Sequence, residues 1–572
     1  MLQDVKYALR TMAQTPGFTA IAILTLALGI GGNTAIFTVI DSMLLRPLPL
    51  DDPDRVFQIT QANPARGIPS GGPFSLGAYE TLRDRNRSFT GLSAYCSENF
   101  TLTGSLQPEQ LTAVRVSPEF LDVLHTRPFL GRNFTRPEGE TGGNRVVLIS
   151  HSLWQRRFAS DPAIAGKPIT LDSDAYTIIG VMPADFPFPY SDIGVWATRL
   201  MAFSALQPFQ IQHGAGYLTA IGRLKPGVSR SQAAAELAVL GGQYRREHPG
   251  SPDSDPNGYY EVTPLREVFV SSARPTLLVL AGAIGFVLLI VCANIASLLM
   301  ARASGRAKEI AVRAALGATR ADLIRQMLAE SLLLAFAGGA GGLLLAMWGV
   351  AWLAKANLET VQLFQPVHVD WVALTFTLGL SLLTGIAFGL MPAWNASRPD
   401  LNVVLRDSGW GSTGGGKRHR ARSLLVIGQT ALSIVLLIGA GLLIESFVRL
   451  QSVHSGFDPH HALGLRVTLP VSKYPDDSAR ARFFRAVLAR LENVPGVKSA
   501  TAGLSLPVTA SLYAPVLAEG QPAAPIGERP IAQWNPIMPA YFKTLGIPLI
   551  QGRDFTLADD EHAPRVVIIG ES

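Results

Sequence analysis

The chain has 572 residues, enough for several domains, and its composition argues against a fully soluble protein. Hydrophobic residues make up 48% and charged residues only 16%, whereas soluble domains carry about 25% charged residues. The net charge of +6 fits the basic loops of a membrane protein better than nucleic-acid binding. The two cysteines, Cys96 and Cys292, form no CxxC motif, so the sequence predicts neither a disulfide framework nor a zinc site.

An amphipathic stretch and a long apolar run open the chain. Residues 1–17 place apolar side chains from Leu2 to Met12 on one helical face, beside Lys6 and Arg10. The apolar run that follows is longer than the core of a signal peptide and lacks a convincing small-x-small cleavage site before "LLRPLPL". We therefore interpret it as an uncleaved membrane anchor.

Five segments are apolar over about 20 residues, the length that a helix needs to cross a bilayer. Lys and Arg cluster in the connection after the second segment and in the connection before the fifth, whereas residues 356–370 contain neither. By the positive-inside rule, the N-terminus and both basic connections are predicted to be cytoplasmic, and the two long polar segments are predicted to be exported.

The sequence thus predicts an α-helical polytopic membrane protein with mixed α/β (α+β) exported domains, in the order span, exported domain, three spans and a partial second copy. The predicted boundaries are 1–17 for the cytoplasmic N-terminus, 18–45, 274–300, 332–354, 371–393 and 424–446 for the spans, 46–273 and 447–572 for the exported domains, 301–331 and 394–423 for the cytoplasmic connections, and 355–370 for the short external loop.

The first exported segment alternates strand and helix patterns. "RVVLI" (145–149) predicts a strand with a helix after it, and "KPITLDSDAYTIIGVMP" predicts a hairpin that turns at residues 172–174. Ser229 and Gln232 predict a capping box at the start of a later helix. The second exported segment repeats this pattern with the predicted strands "LGLRVTL" and "VKSATAGL" on either side of a helix over about 477–491.

An internal repeat relates the two exported segments. "PEFLDVLHTRPFLGRNFT" (118–135) aligns without gaps on "PAYFKTLGIPLIQGRDFT" (539–556), and "RVVLIS" (145–150) matches "RVVIIG" (565–570). The second copy stops soon after this match. We therefore expect the sequence to be a piece of a protein of roughly 800 residues with about eight spans.

The densest patterned charge lies in "KEIAVRAALGATRADLIRQMLAES" (308–331), between the second and third apolar runs. Glu309 and Arg313 are four residues apart with the acid first, the favourable order for a helical ion pair. Gly317 offers a helix stop, and Thr319 with Asp322 predicts the cap of a new helix that rises into the bilayer. Periodicity alone leaves two interpretations open, an ordinary interfacial helix and a helix that docks a cytoplasmic partner.

Two further features have ordinary structural interpretations. "GSTGGGK" (411–417) fits a phosphate-loop pattern, but Arg418 replaces the required hydroxyl residue and a span follows, so we predict a flexible linker. Asn33, Asn294 and Ser297 lie in spans, where interhelical hydrogen bonding is expected, and the glycines of "AFAGGAGGLLLA" predict close helix packing. We expect no catalytic residue, cofactor site or metal site.

Three long stretches resemble known permeases. The stretch from "REVFVSSARPTLLVL" through "KEIAVRAALGATRADLIRQMLAES" to "AFAGGAGGLLLA" resembles the membrane core of the FtsX/MacB permease family. "GFTAIAILTLALGIGGNTAIFTVIDSMLLRPLPL" resembles the opening of its duplicated orphan-permease branch, first described in acidobacteria. "RVVLISHSLWQRRFASDPAIAGKPITLDSDAYTIIGVMPADF" resembles the MacB-type periplasmic core domain.

The resemblance implies a bacterial inner-membrane ABC permease subunit that works as a mechanotransmitter and is not itself an enzyme. A cytoplasmic ATPase, here on a separate chain, would move a coupling helix and thereby rearrange the periplasmic domains in efflux or export. The family's coupling helix corresponds to residues 306–316. Glu309, Arg313, Gly317 and Arg320 are therefore the candidate coupling residues.

The resemblance leaves rival functions open. One is an FtsX-like regulator of periplasmic cell-wall hydrolases, and another is a membrane-anchored scaffold without an ATPase. Other expected partners are membrane lipid and a periplasmic adaptor or hydrolase, with no nucleic acid. The two copies of a full-length chain are expected to act as a pseudo-dimer.

Overall fold

The computed structural model describes residues 2–570 except 47, 49, 64–67, 104–107, 185, 187, 191, 204–205, 207, 213, 250, 252, 256, 272, 306–311, 313–315, 317–318, 356–368, 397–415, 454–455, 459–461, 466, 468, 470–472, 475, 508–511, 523–528 and 561. The chain divides into two compact units. The membrane unit comprises Met1–Arg46 and Phe269–Ser452, and the other unit comprises Pro47–Val268 and Val453–Ser572.

The described helices and strands are numbered here in chain order. The helices are α1 (Leu2–Gln14), α2 (Pro16–Ile40), α3 (Leu76–Arg85), α4 (Phe120–Leu124), α5 (Arg136–Gly139), α6 (His151–Phe158), α7 (Pro208–Gln212), α8 (Arg230–Glu247), α9 (Leu265–Val270), α10 (Arg274–Gly305), α11 (Arg320–Lys355), α12 (Trp371–Ala396), α13 (Gly416–Ser452), α14 (Asp477–Glu492) and α15 (Tyr541–Leu545). The strands are β1 (Val56–Asn63), β2 (Ile68–Gly72), β3 (Phe89–Thr103), β4 (Glu109–Val116), β5 (Leu130–Gly131), β6 (Val146–Ile149), β7 (Pro168–Leu171), β8 (Asp174–Val181), β9 (Val195–Ala197), β10 (Thr219–Leu224), β11 (Tyr259–Pro264), β12 (Leu512–Pro515) and β13 (Ile531–Trp534).

Five of the described helices are long and apolar enough to cross a membrane: α2 with the π-helical turn Asp41–Leu45 that extends it, α10, α11, α12 and α13. Each contains one of the five apolar segments of the sequence. With the α/β domain that follows α2, they confirm the predicted fold class, an α-helical polytopic membrane protein with an α/β exported domain. Helix α11 is longer than its apolar core because it begins at a polar cap rather than at residue 332.

The membrane helices pack closely around small residues, as the glycine-rich sequence predicts. Helix α11 lies against both α2 and α12. The backbones of α2 and α11 approach most closely at Gly31 and Gly342, where a Cβ atom on either residue would meet backbone atoms of the other helix. A buried apolar cluster of α2 and α10, including Leu26, Ile30 and Val291, completes the packing.

The α/β domain is built on one mixed sheet. Its described strands follow the order β11-β1-β10-β3-β4-β9-β6-β8-β5, with β2 beside β1 and with β7 paired to β3 and β8. Most neighbours are antiparallel, while β4–β9 and β6–β8 are parallel. One apolar core packs α3 and α8 onto β1, β3 and β10, and another packs α6 onto β4, β6, β8 and β9. The sheet therefore has two separately packed halves.

The local predictions for this domain are confirmed. Strand β6 is fully buried and leads directly into α6. The β7–β8 hairpin turns at Asp172 and Ser173, which take left-handed φ angles of 52° and 69°. At the start of α8, Ser229 and Gln232 form the expected capping box.

The second exported segment contains the predicted helix α14, but its strand predictions are wrong in the residues described. "VKSATAGL" forms only an isolated bridge at Gly503, and the described residues of "LGLRVTL" are not in a strand. The residues of "RVVIIG" are likewise not in a strand, and Val567 is 79% exposed. The buried equivalent, β6, is held by β8 and β9, which come later in the first copy, so local β propensity alone forms no strand here.

The repeat extends to hydrogen-bond geometry. Arg132 donates two hydrogen bonds to Glu138 while Thr135 N–H donates to the same carboxylate at 2.8 Å. In the second copy, Arg553 and Thr556 make the same contacts with Asp559, and the Thr556 N–H distance is again 2.8 Å. The aligned residues therefore fold into the same loop in both copies.

Candidate functional site

The predicted coupling segment, residues 306–316, lies between α10 and α11. Glu309, Arg313 and Gly317 lie outside the described residues, so their roles stay predictions. Arg320 is the first residue of α11, and its side chain is exposed. Within the segment, Leu316 N–H donates to Val312 C=O at 3.0 Å, and Leu316 is 82% exposed.

The start of α11 is capped as the sequence predicts. Thr319 N–H donates to Asp322 Oδ2 at 3.2 Å, and Asp322 N–H donates back to Thr319 Oγ1 at 3.3 Å. This reciprocal cap satisfies two donors that a helix N-terminus otherwise leaves free. An exposed ion pair between Arg325 and Asp322 at 3.4 Å adds little stability. Helix α11 thus has a defined first turn immediately after the coupling segment.

The end of α10 is fixed to the N-terminal helices by Arg302. Its guanidinium donates to Thr15 Oγ1 at 2.8 Å and to Thr11 C=O at 3.1 Å. It also lies 4.7 Å from the ring centroid of Phe18, a cation–π contact. Thr11 lies in the last turn of α1, while Thr15 and Phe18 lie at the start of α2, so Arg302 joins three helices. Sequence reasoning counted Arg302 only as a loop charge and missed this role.

A second charged junction lies at the opposite end of the membrane unit. Arg46 Nε donates to Asp41 Oδ2 at 2.8 Å, and its Nη2 contacts Asp370. Asp370 also caps α12 by accepting from the N–H groups of Val372 and Ala373, both at 3.0 Å. The end of α2 is therefore tied to the start of α12. No local pattern predicts the Arg46–Asp370 pair, because its members are separated by 324 positions.

Only some of the polar side chains inside the spans form the interhelical hydrogen bonds that the sequence predicts. Asn33 Nδ2 donates across to Ile284 C=O at 3.2 Å, which confirms interhelical bonding there. The hydroxyls of Thr34 and Thr377 share a buried hydrogen bond of 3.0 Å that the sequence analysis missed. For Ser297 the prediction is wrong within the described residues: its buried Oγ has no hydrogen-bond partner there.

The described residues offer no group of three or more metal-ligating side chains. Cys96 and Cys292 are both buried and free. Of the phosphate-loop-like stretch, residues 411–415 lie outside the described part of the chain, and Gly416 and Lys417 begin α13. The membrane unit thus consists of capped, tightly packed helices joined by charged contacts at both ends.

Comparison with known protein families follows this division of the chain. Residues 19–240 match the MacB-like periplasmic core domain, and residues 281–401 match the FtsX-like permease C-terminal domain. The chain belongs to the MacB/FtsX family of permeases. The first match covers α2 and most of the α/β domain, and the second covers the coupling segment with α11 and α12.

Relatives of this MacB/FtsX-family permease are ABC transporter components. "Macrolide export ATP-binding/permease protein MacB" of Syntrophobacter fumaroxidans is 34% identical over 31% of this chain and 24% of its own. "Pyoverdine export ATP-binding/permease protein PvdT" of Pseudomonas syringae pv. tomato is 27% identical over 46% of this chain and 38% of its own. "Uncharacterized ABC transporter permease YknZ" of Bacillus subtilis is 23% identical over 51% of this chain and 68% of its own. The chain thus spans less than half the length of the first two relatives.

Proposed function

We propose that this chain is the transmembrane permease subunit of an ABC-type mechanotransmission or export system. A separate cytoplasmic ATPase drives conformational change in its periplasmic domain. The observation that carries the proposal is the continuity of α11, one helix of 36 residues from its capped start beside the coupling segment to Lys355. A helix rises about 1.5 Å per residue and is continuous along its axis. A displacement of α11 at its capped start would therefore also move its end near Lys355.

The packing supports a route for that displacement. Because α2 and α11 touch backbone to backbone at Gly31 and Gly342, they move together rather than slide. Arg302 couples the end of α10 to α1 and α2, and Arg46 couples the end of α2 to α12. Helix α2 continues along the chain into the α/β domain, and that domain returns along the chain into α10. Movement of α2 and α10 would therefore act on the α/β domain at both points where the chain enters and leaves it.

We further propose the orientation that the basic connections favour. The N-terminus and residues 301–331 lie in the cytoplasm of a bacterial inner membrane, and the α/β domain lies in the periplasm. The long apolar side chains of α13, such as Leu437 at 76% exposure, suit contact with lipid or with the spans of a second copy. Two relatives are named for macrolide and pyoverdine export, and here the proposal is efflux or export without a named cargo.

Co-purification of an ATPase tests the coupling. We expect an ABC ATPase to copurify with the wild-type chain and to be lost with Glu309→Lys or Arg313→Glu, because either change reverses a charge on the docking helix. Arg418→Glu is the matched control, since it reverses a charge on the same predicted side but outside the segment. Copurification of a cell-wall hydrolase without an ATPase would support the FtsX-like regulator instead, and copurification of neither would support a scaffold.

Cysteine labelling tests the orientation. Both native cysteines are buried, so the substitution Ala318→Cys provides a distinct reactive thiol. We expect a membrane-impermeant maleimide to leave the introduced thiol unmodified in intact spheroplasts and to modify it after lysis. Labelling in intact spheroplasts would place the coupling segment outside and contradict the proposal.

A further inference from the structure

A cavity of about 320 Å³ lies within the α/β domain. Its walls come from α3, from the turn after β4, from α5 with the two residues that follow it, and from residues 199–201. Helix α3 and Leu200 belong to one apolar core, so the cavity borders that core. Its volume falls at the small end of the range of ligand pockets.

Charged side chains of both signs line the cavity. They are three arginines and three glutamates: Arg83, Arg136, Arg199, Glu80, Glu119 and Glu140. Arg83 is paired with Asp84 through hydrogen bonds of 2.8 and 3.1 Å. The other five have no ion-pair partner within 4.0 Å among the residues described. Apart from Arg83, the lining therefore offers two arginines and three glutamates without an ion pair in the described part of the chain, so both signs of charge are available to a ligand.

Two of these residues adopt arrangements that are unfavourable in free energy. Arg199 has a left-handed backbone, with φ 68° and ψ 71°, a conformation that costs a non-glycine residue about 1 kcal/mol or more. Its peptide is fixed by Arg115, whose guanidinium donates to Thr198 C=O at 3.0 Å. Glu119 has an enclosed carboxylate oxygen, Oε2, without a hydrogen-bond partner in the described structure. Such an unsatisfied oxygen raises the free energy of the folded state.

The second copy carries neither of the charges of Glu119 and Arg136. Its equivalent loop keeps the Arg553–Asp559 contacts, which match Arg132–Glu138. Yet Ala540 stands where Glu119 stands in the first copy, and Leu557 stands where Arg136 does. The contacts of Arg553 and Thr556 with Asp559 thus form without a guanidinium at the position of Arg136. The backbone at the position of Glu119 differs, because Glu119 has φ −76° and Ala540 has φ 64°.

We propose that this cavity binds a small zwitterionic solute of about dipeptide size. The ligand's ammonium group lies against Glu119, and its carboxylate lies against Arg136 and Arg199. Balanced charge in the lining favours a ligand that is neutral overall and carries both signs, because a singly charged ligand would leave the opposite set of side chains unpaired. The proposal is independent of the ATPase coupling proposed above.

Titration of the full chain in lipid nanodiscs tests the site, with alanyl-alanine as the probe. Two capped probes, N-acetyl-alanyl-alanine and alanyl-alanine amide, each remove one charge. We expect saturable binding of the free dipeptide and at least tenfold weaker binding of either capped form. Equal binding of a capped form would overturn the zwitterion assignment, and absence of saturable binding up to about 10 mM dipeptide would overturn the site.

The variants Glu119→Ala and Arg136→Leu each remove one charge from the cavity lining, and circular dichroism checks that each variant folds. Each should weaken dipeptide binding at least tenfold. Arg87→Gln is the control, since Arg87 is an exposed arginine near α3 that does not line the cavity. Binding that survives both cavity variants, or that falls equally in the control, would contradict the proposal. Because Arg136 is exposed, its variant remains informative even if Glu119→Ala is destabilised.

Discussion

Gly31 of α2 and Gly342 of α11 lie so close that a Cβ atom on Gly31 would stand 2.7 Å from the carbonyl oxygen of Gly342. Real Cβ atoms do not approach a backbone oxygen this closely, so any side chain at Gly31 forces the two helices apart. The crossing is therefore specific to glycine. It is the point at which the backbones of α2 and α11 meet directly.

Gly31→Ala should weaken this crossing, while Gly32→Ala should not. A Cβ on Gly32 meets only the Ile284 side chain at 3.6 Å, an ordinary van der Waals contact. Overpacking of this kind costs about 1–3 kcal/mol, so we expect a clearly lower melting temperature for Gly31→Ala in detergent. Gly32→Ala has the same change in composition and serves as the control. Equal melting temperatures for the two variants would show that the crossing is not tightly packed.

Arg302→Gln should release α1 from the membrane unit. The change removes the charge that lies over Phe18 and weakens the hydrogen bonds to Thr11 and Thr15. We expect faster hydrogen–deuterium exchange in α1 and in the first turn of α2, while exchange in α12 stays the same. Arg302→Lys keeps the charge but not the planar guanidinium, so an intermediate effect is expected. Unchanged exchange in α1 for Arg302→Gln would rule out this anchoring role.

Arg115 and Glu98 form a buried ion pair between β4 and β3, with side-chain exposures of 4% and 1%. Arg115→Met leaves the Glu98 carboxylate buried without its charge partner, which typically costs about 3–5 kcal/mol. The double variant Arg115→Met/Glu98→Leu removes both charges and should recover most of that loss. A double-mutant cycle on thermal unfolding measures the difference. If the losses of unfolding free energy in the two single variants added up in the double variant, the two side chains would not be coupled.

The Glu138 carboxyl should make stability depend on acidic pH. Burial pushes its pKa up, but hydrogen bonds from Arg132 and Thr135 outweigh burial and hold the pKa below the ordinary value. A carboxyl with a lowered folded-state pKa stabilises the protein above its unfolded pKa, about 4.3, and this contribution is lost as the pH falls through the folded value.

We therefore expect Glu138→Gln to lower the melting temperature at pH 7 and to differ progressively less from wild type below about pH 4. Glu140→Gln is the control, because Glu140 is exposed and its side chain has no partner among the described residues. A stability difference between Glu138→Gln and wild type that stays constant from about pH 7 to about pH 3 would contradict this assignment.

Features that depend on residues close in sequence could be predicted. The Thr319–Asp322 cap and the Ser229–Gln232 capping box each join residues three apart, and the five apolar segments reflect a property of about 20 consecutive residues. The same local reasoning predicted that α11 begins near Arg320, one of the candidate coupling residues. The second-copy strands failed for the opposite reason, since a strand requires partners that local sequence does not supply.

The sequence by itself thus determined the number of apolar helices, their caps, the small residues that allow close packing, and the repeated loop. Only the tertiary structure decided which distant charges meet. Arg302 reaches Thr15 across 287 positions, and Arg46 reaches Asp370 across 324. The tertiary structure also brings together the charged side chains of the α/β cavity, which come from four separate segments. The physical reason is that helical periodicity and capping are set within a few residues, whereas contacts between elements depend on how whole helices and strands pack.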